Sequence, residues 1–134
     1  GAEPWPGDVP VLVVDADEDA REVVRLVVER AGGEVQTASS AAEALALLRS
    51  WRPDVLVSDI GMPGDDGYAL IESVRRLSPD DGGATSALAL TAYAGEPYRA
   101  RSAAAGFQIH LTKPIEPGAL LANIATLAGR SHGG

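Results

Sequence analysis

Apolar and polar positions along the chain change period in a regular alternation. Val9 to Val14 is an almost unbroken apolar run of strand length. Ala20, Val23, Val24, Val27, Val28 and Ala31 then fall at the i, i+3, i+4, i+7 spacing of one helical face, and Gly32 and Gly33 end that helix. "EVQTA" (34–38) alternates with period two, which predicts a half-exposed edge strand. Ser40 and Glu43 stand at the spacing of a capping box, and Ala41, Ala44, Leu45 and Leu48 supply the buried stripe of the helix they open. Trp51 closes that helix as a packing residue. "RPDVLVSD" (52–59) is a short apolar strand ending in an acid, and "GMPGDDG" (61–67) is a loop. Leu70, Ile71, Val74 and Leu77 mark a third helix, and "SPDDGG" (78–83) reads as a flexible turn. "ALALT" (87–91) is a strand, "GEPYRARSAAAG" (95–106) a short helix and "FQIHLTKP" (107–114) the last strand. Pro117, just inside a helix start, precedes Leu120, Leu121, Ile124 and Leu127.

Strand and helix therefore alternate five times over residues 9–128, with no internal repeat. Residues 1–8 read as a linker or expression remnant, and 129–134 as a flexible tail. Near-continuous apolar strands separated by helices imply an α/β fold, a parallel sheet covered by helices on both faces. Five such units with a half-exposed second strand fit the flavodoxin-like (βα)5 order 2-1-3-4-5. Right-handed crossovers then bring the C-terminal end of every strand to one rim.

Composition narrows the chemistry. A chain of 134 residues is the size of one domain, and a formal charge of −8 argues against a nucleic-acid surface. With no cysteine, thiolate metal sites and thiol nucleophiles are excluded. No apolar run is long enough to span a bilayer and no signal-peptide pattern opens the chain, so the expectation is a cytoplasmic domain without direct membrane contact.

Ligands of open α/β sheets sit outside the carboxyl ends of the strands, where the strand order reverses. Here that point lies between strands one and three, which end in Asp15 and Asp59. Strand four ends in Thr91, and Lys113 follows strand five. Two converging carboxylates favour a hard cation such as Mg2+, and a metal so placed offsets charge on a phosphoryl group in displacement. Lys113 and the Thr91 hydroxyl would take the remaining phosphoryl oxygens. Asp59, at the end of the central strand, is the better nucleophile and Asp15 the better metal ligand.

"VLVVD", "DVLVSDIGMPGDDGYALI", "ALTAYA" and "HLTKPI" resemble the receiver domain of two-component response regulators, over residues 9 to about 128. The middle stretch and "GFQIHLTKPIEPGALLANIATLAG" look most like receivers attached to hybrid sensor histidine kinases. The resemblance implies a phosphorelay domain, not a true enzyme, in which Asp59 accepts phosphate from the phosphohistidine of a histidine kinase or phosphotransfer domain. It implies Mg2+ held by Asp15, Asp59 and the Gly61 backbone carbonyl, with Lys113 pairing the phosphate and Thr91 as switch hydroxyl. It also suggests a cis Lys113–Pro114 bond. The downstream partner is unspecified, and the expected state is a monomer or weak dimer.

The chain departs from the family pattern in three places. Ala16 stands where the family usually carries a second, metal-binding acid; Asp17 follows one residue later and is a further candidate ligand, though it also suits a helix cap. His110 takes the place of an aromatic switch residue and adds a titratable group. Gly61 gives little side-chain control over water, while Tyr93 could shield the phosphoryl group. Tyr93, Tyr98, Phe107 and His110 are either ordinary surface aromatics or the edge of a partner-binding face. Two alternatives stay open. One is a phosphate-independent pseudo-receiver that only docks, which Ala16 favours. The other is a phosphatase of the haloacid-dehalogenase type, with Asp15 as nucleophile and Asp17 as acid, although Asp19 stands where Thr or Val is expected.

Overall fold

A computed structural model describes residues 7–61 and 67–131. Five strands alternate with five helices: β1 (Pro10–Val14), α1 (Glu18–Arg30), β2 (Glu34–Ala38), α2 (Ala41–Trp51), β3 (Val55–Asp59), α3 (Gly67–Arg76), β4 (Ser86–Thr91), α4 (Glu96–Ala105), β5 (Ile109–Thr112) and α5 (Pro117–Ser131). The strands form one parallel sheet in the order β2-β1-β3-β4-β5. The order expected from the hydrophobic pattern is the observed one, with the alternating strand β2 at an edge.

The unbroken apolar runs have a simple cause: alternate residues of each central strand enter two separate cores. Leu12, Leu56, Ala87 and Ala89 meet Leu48 of α2 and Ile71 and Val74 of α3 on one face. Val11, Val13, Val57, Leu88 and Leu90 meet Val24 and Val28 of α1 and Leu120, Ile124 and Leu127 of α5 on the other. Each of the Val, Leu and Ile side chains among them contributes roughly 1.5–3 kcal/mol of apolar burial. Both faces are thus covered, and the strand ends at the rim remain available for polar residues.

Several local expectations are corrected. Val23 is 56% exposed, because the surface offered to α1 is narrower than its apolar stripe and only Val24 and Val28 are buried. Ser40 does cap α2, its hydroxyl accepting from Glu43 N–H at 3.2 Å, but Glu43 reaches back to Ser39 instead of the Ser40 amide. "SPDDGG" is an ordered 3-10 turn over Pro79–Asp81, capped by the Ser78 hydroxyl. A Cβ on Gly83 would lie 2.0 Å from the Leu77 carbonyl oxygen, so this turn is closely packed. Phe107 is a core residue, not a surface aromatic. Helix α5 runs to Ser131, three residues into the expected tail. Residues 1–6 of the expected linker, 62–66 of the loop after β3 and 132–134 of the tail lie outside the described residues.

Candidate functional site at the C-terminal rim of the sheet

Parallel pairing sets the site. Asp15 follows the last residue of β1, Asp59 ends β3, Thr91 ends β4 and Lys113 follows β5. The ladder continues past the strand ends: Ile60 N–H donates to the Leu90 carbonyl at 3.0 Å, and Lys113 N–H to the Thr91 carbonyl at 2.7 Å. Each polar side chain is therefore anchored by backbone pairing at its own position.

Lys113 Nζ lies 3.2 Å from Asp59 Oδ1 and 3.5 Å from Asp15 Oδ2, so one ammonium is shared by two carboxylates. Asp15 is 4% exposed and also accepts from the Asp17 amide at 2.9 Å. Burial raises its carboxyl above the ordinary 3.8, and the neighbouring Asp59 charge adds to the rise; the Asp17 amide and Lys113 act against it. A carboxylate pair, one buried and one facing the groove, balanced by a single cation is a site with excess negative charge and hard oxygen donors. That donor set fits Mg2+, which commonly binds through one or two carboxylates and retains water.

Asp17 does not join this pair. It is the exposed N-cap of α1, its carboxylate accepting from the Asp19 amide at 3.0 Å. Among the described residues no group of three or more acidic or histidine side chains is arranged to hold a metal. Gly61 lies at the site's edge with open space where a side chain would stand.

Thr91 is buried and its hydroxyl accepts from Tyr93 N–H at 3.1 Å. The Tyr93 carbonyl in turn faces His110 Nε2 at 3.3 Å, and His110 Nδ1 faces the Ser102 hydroxyl of α4 at 2.8 Å. His110 is thus turned inward and buried, joined to Thr91 through the backbone of Tyr93. The Tyr93 ring itself is exposed and stacks on Tyr98, with centroids 5.2 Å apart. An open groove of about 440 Å³ runs over the site, lined among others by Asp59, Gly61, Thr91, Tyr93, Arg101 and Lys113. Lys113–Pro114 is cis, as the resemblance suggested.

The structure brings Asp15, Asp59 and Lys113 into direct contact and sets Thr91, Tyr93 and Gly61 around the groove. Ser102, Tyr68 and Arg101 had no place in the sequence analysis. Ser102 carried one faint signal, a hydroxyl on the face of α4 turned toward β5; Tyr68 and Arg101 meet only through the packing of α3 against α4.

Comparison with known proteins agrees with this fold. Residues 11–125 match the response regulator receiver domain family. An uncharacterized 14.6 kDa protein from the sodA1 3′ region of Leptolyngbya boryana is 46% identical, the alignment covering 80% of each chain. The response regulator MprA of Mycobacterium bovis is 35% identical over 92% of this chain, which spans 52% of that protein's length. Among solved structures, the chemotaxis protein CheY4 of Vibrio cholerae superposes with a TM-score of 0.83 at 31% identity, over 90% of this chain and 99% of that one.

Proposed function

The chain belongs to the response regulator receiver domain family of two-component signalling, and from that premise we propose that it is a phosphoacceptor switch with Asp59 as the acceptor. The observation that carries this reading is the shared ammonium: Lys113 Nζ sits 3.2 Å from Asp59 and 3.5 Å from Asp15 at the point where the strand order reverses. An Asp59 carboxylate oxygen attacks the phosphorus of a phosphohistidine on a histidine kinase or phosphotransfer domain. The O–P bond forms as the N–P bond breaks, and the departing imidazole nitrogen keeps the electron pair and takes up a proton. Lys113 pairs with one phosphoryl oxygen. Asp15, Asp59 and the Gly61 carbonyl would hold Mg2+, which when bound offsets the charge on the oxygens around phosphorus.

The switch follows from the hydrogen-bond chain. If the Thr91 hydroxyl turns to a phosphoryl oxygen, it gives up the Tyr93 amide, and the Tyr93 carbonyl moves away from or toward His110 with it. His110 then trades its Ser102 contact, and the surface around β4, α4 and β5 changes. A downstream protein would read that surface. Attachment to a hybrid sensor histidine kinase and a cytoplasmic location are parts of the same proposal and rest on the sequence resemblance; no helix among the described residues is long and apolar enough to cross a membrane.

The test is intact mass after incubation with acetyl phosphate, with and without Mg2+, beside an Asp59→Ala control. A Mg2+-dependent gain of one phosphoryl group, absent in the control, is the expected result. No gain at any Mg2+ concentration would refute it and leave the phosphate-independent docking module, the reading that Ala16 favours. The phosphatase reading has lost its general acid, since Asp17 caps α1 instead of facing the groove.

A further inference from the structure

The groove over Asp59 holds a second cation. Arg101 of α4 lines it together with Asp59, Tyr68 and Lys113, and its guanidinium carbon lies 4.0 Å from the centroid of the Tyr68 ring. Among the described residues Arg101 forms no ion pair with a carboxylate. The ring of Tyr68, on the first turn of α3, keeps its planar fork on the groove wall. An exposed cation–π contact is weaker than a bidentate pair with phosphate, so the guanidinium is held in place yet available.

The charge of the site supplies the reason to need it. Asp15 and Asp59 share one lysine, and the whole chain carries −8. A phosphoryl donor brings up to two further negative charges into this field, and Lys113 already has two partners. We propose that Arg101 is a specificity-determining residue of the phosphoryl site, leaving the Tyr68 face to pair with the phosphoryl oxygens as the donor enters and after Asp59 is phosphorylated. This rests on the phosphoacceptor reading above. It also connects chemistry to the switch along one helix: the next residue, Ser102, holds His110, so a pull on Arg101 bears on the same turn of α4.

The experiment compares wild type, Arg101→Gln, Arg101→Lys and Asp59→Asn in the full chain. Phosphoryl uptake is followed by intact mass with two donors of different charge, acetyl phosphate (a dianion) and phosphoramidate (a monoanion). Arg101→Gln should slow uptake from acetyl phosphate about tenfold, the effect of one charge-assisted hydrogen bond, and slow uptake from phosphoramidate distinctly less. Arg101→Lys should recover part of the loss, since it keeps the charge without the fork. Equal rates for wild type and Arg101→Gln with both donors would overturn the inference while leaving Asp59 as acceptor. If wild type takes up no phosphoryl group, the phosphoacceptor reading falls, and titration of Asp59→Asn with inorganic phosphate, followed by the NMR signal of the Arg101 Nε–H, decides what remains. A saturable shift sustains Arg101 as an anion contact; no shift overturns it.

Discussion

Replacing Arg75 with alanine should destabilise the fold by about 3 kcal/mol and leave the phosphoryl site intact. Arg75, on the last turn of α3, reaches across to the starts of β4 and β5, on the edge of the sheet opposite the site. Its guanidinium donates to the Gly106 carbonyl from Nε at 3.0 Å and from Nη2 at 2.7 Å. It also donates to the Gly83 carbonyl at 2.9 Å, the Thr85 carbonyl at 2.7 Å and Gln108 Oε1 at 3.1 Å. Burial lowers its pKa, yet an arginine so placed stays charged at any working pH. Hydrogen bonds to a charged group contribute roughly 1.5–3 kcal/mol each, and three backbone carbonyls lose their donor together. Gln108 keeps the Ala87 amide at 2.7 Å, and water re-enters a half-buried site, which brings the net loss to about 3 kcal/mol. With an m-value of about 2 kcal/mol/M, the urea midpoint should fall by roughly 1.5 M without a change in slope. Arg75→Lys should lose about half as much, because one ammonium cannot span three carbonyls. A midpoint for Arg75→Ala within about 0.5 M of wild type would refute the clamp. Uptake of phosphate per folded molecule should be unchanged; a fall in uptake at unaltered stability would place Arg75 in the switch instead.

Two further perturbations test the site itself. Because burial raises the Asp15 carboxyl above 3.8, the folded protein holds that proton more tightly than the unfolded chain. The resulting penalty is absent below 3.8, grows as pH rises through the raised value and is complete above it. Asp15→Asn, with divalent metal chelated, should therefore be more stable than wild type at neutral pH by about 1 kcal/mol, the order of one like-charge repulsion in a partly wet site. The gap should close on acidification, and thermal melts showing a pH-independent gap would contradict this. Thr112 Oγ1 is buried without a hydrogen-bond partner among the described residues, so Thr112→Val, which keeps the shape, should raise stability by about 1 kcal/mol. A lower melting temperature for that variant would show that the hydroxyl has a partner in solution.

Much of the molecule was legible in the chain. Each change of period between runs such as Val11–Val14 and stripes such as Leu120, Ile124 and Leu127 records a local fact, namely which side chains must leave water together. Parallel crossovers have one hand, so those local facts also determined where Asp15, Asp59, Thr91 and Lys113 would end. Asp17 was left between ligand and cap, and its own amide neighbours decided for the cap. What the tertiary structure alone decided are the partners of long or buried polar side chains. Arg75 meets carbonyls up to 31 residues away, Arg101 lies on Tyr68 across two helices, and His110 turns inward to Ser102. Val23 and Phe107 belong to the same class, since an apolar residue on a stripe is buried only if an opposing surface is wide enough to reach it. Hydrophobic periodicity specifies a face, whereas a hydrogen bond or cation–π contact depends on how two faces cross. That angle is a property of the packed molecule, written in no single stretch of it.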